Sequence, residues 1–123
     1  MSHTVEIRTQ IKDLAAVKAA CVRLGLSPPI EGQHRLFSET VSGVGVQLPG
    51  WSYPVVIDLS TGSVQFDNFG ERWGATSELE KFKQAYAVEK AKLEARRKGH
   101  SIVEQPLSDG SIKLTIRVNG GAT

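Results

Sequence analysis

Two carboxylates invite an acid–base reading. In W-S-Y-P-V-V-I-D-L-S-T-G-S-V-Q-F-D-N, residues 51–68, Asp58 and Asp67 stand on either arm of a tight turn. Paired carboxylates do general acid and base work only where burial or crowding drives their pKa values apart. Tyr53, Val55, Ile57 and Leu59 share one side of the first arm, Pro54, Val56 and Asp58 share the other, and Val64 and Phe66 resume the apolar side after the turn. This alternation predicts that both aspartates face water on the backs of two strands, which argues against catalysis.

The other chemistries have less to stand on. His3, His34 and His100 lie in separate segments without metal-ligand spacing. The single cysteine, Cys21, falls in register with Leu14, Val17 and Leu24 and is expected to be buried and inert; it can form no intramolecular disulfide. No serine occupies a G-x-S-x-G turn, and the glycines at 43, 45 and 50 do not join a strand to a helix as a phosphate cradle would. The expectation is a protein without catalytic residues, metal or cofactor.

The elements that would position any site are well marked. Val5, Ile7 and Thr9 alternate with Thr4, Glu6 and Arg8 as in a strand with one wet face. Asp13 can cap a first helix whose apolar positions recur at three and four residues, and Gly25 followed by Pro28-Pro29 ends it. One or two short strands are expected between Gly32 and Gly50, and a hairpin around Thr61-Gly62. Ser77 and Glu80 have the spacing of a reciprocal cap for a second helix, with Leu79, Phe82, Tyr86 and Leu93 as its stripe and Gly99 as its stop. Ile112, Leu114, Ile116 and Val118 alternate with Lys113, Thr115 and Arg117, a strand that pairs with 100–105 across Asp109-Gly110; residues 119–123 read as a frayed tail.

These elements predict an α+β ferredoxin-like sandwich, a single domain over 1–123, with two helices on one face of a mainly antiparallel sheet and extra hairpin strands. The uncovered face would then display Glu6 and Arg8 beside Lys113 and Arg117. Length and composition agree with one ordinary core: 123 residues, 40% hydrophobic and 23% charged. Neither a signal peptide nor an apolar run long enough to span a membrane is evident, so a reducing cytoplasmic setting is expected.

Charge and aromatic residues locate the surfaces. Residues 78–98 carry seven basic and four acidic side chains, +3 of a chain total of +2, so the remainder is −1. Arg96, Arg97 and Lys98 offset the helix dipole, or alternatively meet an anion or a partner. Two helices behind a sheet is also the architecture of the RRM module, but that module stacks bases on sheet-face rings, and the expected face has none; nucleic-acid binding is disfavoured, phosphate contact less so. Trp51 and Trp73 sit in glycine-flanked loops, P-G-W-S-Y and E-R-W-G, where an indole either closes an end of the core or forms a partner hot spot.

Five stretches carry a family resemblance: S-H-T-V-E-I-R-T-Q-I-K-D, Q-L-P-G-W-S-Y-P-V-V-I-D, D-N-F-G-E-R-W-G, Q-A-Y-A-V-E-K and G-H-S-I-V-E-Q-P-L-S-D-G-S-I-K-L. Across nearly the whole chain they resemble the bacterial and plastid family called domain of unknown function 1257, which includes a hypothetical chloroplast reading frame. The resemblance implies no reaction; it implies an adaptor role beside AAA-type ATPases. The expected function is thus a non-enzymatic module that binds a protein partner or itself. Its contact residues are read as Arg8, Trp51, Asp67, Asn68, Arg72, Trp73, Lys113 and Arg117. Weak nucleic-acid binding is one alternative. A small-molecule site near Asp67, Asn68 and Arg72 is the other.

Overall fold

The structure, a computed structural model, describes residues 4–118; His3 and the expected frayed tail 119–123 lie outside them. The chain runs β1 (Val5–Arg8), α1 (Leu14–Leu24), β2 (Ile30–Arg35), β3 (Thr40–Val46), β4 (Val55–Asp58), β5 (Ser63–Phe66), α2 (Thr76–Arg97), β6 (Ser101–Pro106) and β7 (Ile112–Arg117). Over the described residues it is an α+β fold with two helices. Five strands form one sheet in the order β1-β5-β4-β3-β2, every neighbouring pair antiparallel, and β6 pairs only with β7.

Register explains the core. Val44, Ile57, Val64 and Ile7 fall in one cross-strand row, and Val46, Val55 and Phe66 in the next. The side chains of both rows merge into one cluster with Ala16, Val17, Ala20 and Cys21 of α1 and Leu79, Phe82, Ala85 and Tyr86 of α2. Both helices therefore cover the same sheet face. Cys21 is buried, which raises its thiol pKa by desolvation. Asp13 caps α1 by accepting from the amides of Ala15 and Ala16, and Gly25 closes it with φ of 70°.

Three expectations need correction. A ferredoxin-like sandwich places the strand after the second helix inside the sheet, but here β6 and β7 form a separate hairpin, so Lys113 and Arg117 share no sheet face with Arg8. The reason lies in α2, which is bounded on two sides. Gln84, Val88, Lys92 and Ala95 recur at helical spacing away from the core stripe; Val88 and Ala95 are buried, Gln84 Nε2 donates to the Gly110 carbonyl, and Lys92 Nζ meets Glu104 at 2.9 Å. The hairpin lies along that second side. Secondly, Ser77 and Glu80 form no cap: α2 begins at Thr76, whose amide donates at 2.9 Å to Glu71 Oε1 from the preceding loop. That amide, with the Thr76 hydroxyl, holds the Glu71 carboxyl below its ordinary pKa. Thirdly, the reverse sheet face is not uniformly wet, because Leu36, Val41 and Val56 are buried there in a second small cluster.

Ion pairs fix the hairpin. Arg23 of α1 reaches Glu104 at 2.6 Å and Glu89 at 3.1 Å, and Lys92 bridges the same two carboxylates. The Arg23 guanidinium first, and then Lys92, hold the Glu104 carboxyl down to about 2 from 4.5. A carboxyl whose folded-state pKa is depressed stabilises the fold above its unfolded value, and that contribution is lost as pH falls. The pairs are partly solvated, so screening limits the net gain to about 1 kcal/mol. In urea melts, the stability difference between the native chain and Glu104→Gln is expected to be present at neutral pH and to vanish as pH falls from about 4.5 to about 2. A difference that persists unchanged to the acid end would show that the bridge contributes nothing.

Candidate functional site

β5 ends in a loop, residues 67–75, that sequence alternation alone misreads. Asp67 is 1% exposed, not solvated, because β5 stops at Phe66 and the chain turns inward. Its Oδ1 accepts from the Phe69 amide at 3.1 Å, and its Oδ2 is buried with no hydrogen-bond partner among the described residues. Asn68 is buried as well, and its Nδ2 donates to the Gly74 carbonyl at 3.1 Å. The Trp73 amide donates to the Asn68 carbonyl, and the Arg72 amide to that of Phe69. Asp67 Oδ1 and Asn68 Nδ2 thus both bond within the loop. Asp58 lies at the opposite end of the β4–β5 hairpin, exposed, where the hydroxyl and amide of Ser60 lower its pKa. The two carboxylates are not brought together, and no acid–base pair exists between them.

What the loop does is present rings. Phe69, Gly70 and Glu71 have successive φ values of 48°, 59° and 74°, a left-handed run that is unfavourable for the two side-chain-bearing residues. Trp73 stacks on Phe69 with centroids 4.6 Å apart and planes at 22°, while Phe37 and Tyr53 meet it at 5.1 Å and 5.8 Å. The Arg72 guanidinium lies over the Phe69 ring, 5.2 Å from its centroid. Phe37, from the β2–β3 turn, is 52% exposed. Trp73, Tyr53 and Phe69 are half-buried. Tyr53 also packs against the Leu36, Val41 and Val56 cluster, so the rings rest on the sheet face opposite the helices. It does not continue the Val55 and Ile57 row, because β4 starts only at Val55.

Trp51 has the other role foreseen for a loop indole. It is buried, its Nε1 donates to the Ala75 carbonyl at 3.0 Å, and its ring meets Phe66 edge-on at 5.6 Å. It closes the end of the main core. Of the expected contact residues, the structure therefore brings Arg72 and Trp73 together on one surface, with Asp67 and Asn68 beneath them as scaffold. Arg8 is exposed on β1 at the far edge of the sheet, and Lys113 and Arg117 are exposed on the hairpin. Phe37 and Phe69 were missed; their signal was a ring beside turn residues, L-F-S and D-N-F-G. Arg97 is paired with Glu94 at 3.1 Å and with Asp13 at 3.5 Å.

Among the described residues no cluster of three or more His, Cys, Asp or Glu could hold a metal ion, and no helix is long and apolar enough to cross a membrane. Comparison with protein-family models, curated proteins and solved structures finds no match for this chain.

Proposed function

We infer that this chain is a non-enzymatic protein-binding module, an adaptor, whose contact surface is the ring cluster of Phe37, Tyr53, Phe69 and Trp73 with Arg72. One observation carries this reading: a backbone held in an unfavourable left-handed run sets an aromatic stack under an arginine, partly in water. Tryptophan, tyrosine and arginine are the residues that dominate binding energy when buried at an interface. The cluster suits a partner segment with an apolar side chain to insert among the rings and a carboxylate for Arg72. Membership of the family of unknown function named above, an ATPase partner of the AAA type and a cytoplasmic setting belong to the same proposal. The nucleic-acid alternative weakens, since Lys113 and Arg117 sit on a hairpin apart from the sheet that carries Arg8.

The test is affinity capture from the native cell with the full chain, followed by titration of the captured partner against purified protein. In a Trp51→Phe background, the emission of Trp73 should shift on binding. Trp73→Ala and Phe37→Ser should each weaken binding about ten- to thirtyfold, about 1.4–2 kcal/mol, with Lys81→Glu as a neutral control. Unchanged affinity in both ring variants would overturn the proposal.

A further inference from the structure

A second surface lies on the other side of the molecule, where the linker from β1 to α1 passes over α2 and leaves a cleft of about 940 Å³. Its apolar walls are Leu14, Tyr86, Ala87 and Ala91, and its charged groups are Arg8, Lys12, Lys83 and Lys90 against one carboxylate, Asp13. We propose that this cleft binds a small organic anion: a carboxylate, phosphate or sulfonate carried on an apolar body.

The cleft is held open by its own hydrogen bonds. The amides of Lys12 and Asp13 both donate to the Tyr86 hydroxyl, at 3.2 and 3.1 Å, which ties the linker to α2. Thr9 Oγ1 accepts from the Ile11 amide and donates to the Gly62 carbonyl, which anchors the linker's other end to the β4–β5 turn. The linker backbone is thereby held against α2 and the β4–β5 turn, with side chains of β1, the linker and α2 lining one space.

The charges of that space do not balance. Lys90 is neutralised by Asp13 at 2.9 Å and by Glu94 at 2.8 Å. Among the described residues Lys83 pairs only with Glu80, an exposed pair one helical turn away and therefore weak. Among the described residues no carboxylate lies within ion-pair distance of Arg8 or Lys12. Two unpaired cations, Arg8 and Lys12, and the weakly paired Lys83 thus line a space whose one carboxylate, Asp13, is already paired. Their mutual repulsion is relieved by an anion, while the alanines, Leu14 and the tyrosine ring offer apolar contact that a bare inorganic ion would not use. The volume lies within the range, about 300–1,000 Å³, of sites that enclose small molecules.

The probe is 8-anilinonaphthalene-1-sulfonate, which joins apolar rings to one sulfonate, titrated into the full chain by fluorescence and by amide chemical shifts. Shifts are expected at Lys12, Leu14, Ala87 and Ala91. Arg8→Glu with Lys12→Glu should weaken binding about tenfold or more, and the uncharged analogue N-phenyl-1-naphthylamine should bind about tenfold more weakly than the sulfonate. Should the double variant lose its circular-dichroism signature, the single change Lys12→Gln is read instead, with a smaller loss in the same direction. The proposal is overturned if the neutral analogue binds as well as the anion, if shifts gather at Phe37, Tyr53 and Trp73, or if both variants bind as the native chain does. It is also overturned if an oligonucleotide or a poly-glutamate peptide occupies the same amides more tightly, which would make the cleft part of a polyanion surface.

Discussion

Replacing Trp51 by alanine is expected to cost about 3–5 kcal/mol of stability, the range found when a large buried aromatic side chain is truncated. Trp51 is 5% exposed, and Gly74 lies so close to its ring that a Cβ at that position would overlap the indole. Removing the indole leaves a void bounded by Phe66 and the Gly74 backbone. It also removes the donor to the Ala75 carbonyl, the residue that precedes the first turn of α2. Domains of this size are stable by about 5–15 kcal/mol, so between about a fifth and the whole of the total would be lost. Trp51→Phe refills part of the volume without the N–H and should cost about 1–3 kcal/mol, since the Ala75 carbonyl loses its partner. Trp73→Ala, at a half-buried ring, should stay within about 1 kcal/mol. Urea midpoints for the three variants decide the matter. If Trp51→Ala and Trp73→Ala prove equally mild, the two indoles do not divide into a core closure and a contact surface.

That division shows how far the sequence could be read. Strand and helix positions were legible wherever a pattern ran unbroken: Asp13 and Gly25 bracket α1, and Val44, Val46, Ile57 and Val64 alternate as the core face requires. The reading failed where one element serves two surfaces. α2 shows its core stripe clearly, but Val88 and Ala95 belong to a second contact with the hairpin, and superposed stripes blur each other, so the pattern does not separate β6 and β7 from the sheet. It failed again at Asp67, because alternation predicts sides only while a strand lasts, and β5 ends one residue earlier. The ring cluster is assembled from four segments far apart in sequence, and no local pattern records that Phe37 and Phe69 converge on Trp73. Arg72 and Trp73 are legible because unusual residues in a glycine-bounded loop stand out without any fold.

Gly62→Ala is expected to destabilise the protein by about 2–4 kcal/mol, although it adds a single methyl group. Gly62 has φ of 81° in the β4–β5 turn, and a Cβ built there would overlap the backbone carbonyl of Thr9. Thr9 cannot retreat cheaply: its amide and its hydroxyl both donate to the Gly62 carbonyl, at 2.9 and 2.7 Å. Separating the strands at this point would break both bonds. The conformational part of the cost is measured independently by Gly25→Ala, because Gly25 has φ of 70° with nothing near its missing Cβ. That variant should lose only about 1 kcal/mol, the penalty for a side chain in left-handed backbone. The difference between the two variants is then the energy of the contact between the turn and the linker. Because the same linker holds Lys12 and Asp13 against Tyr86, the amide resonances of both residues should move in Gly62→Ala and stay in place in Gly25→Ala. Equal losses in the two variants, with unmoved linker resonances, would mean that the turn and the linker are not mechanically joined.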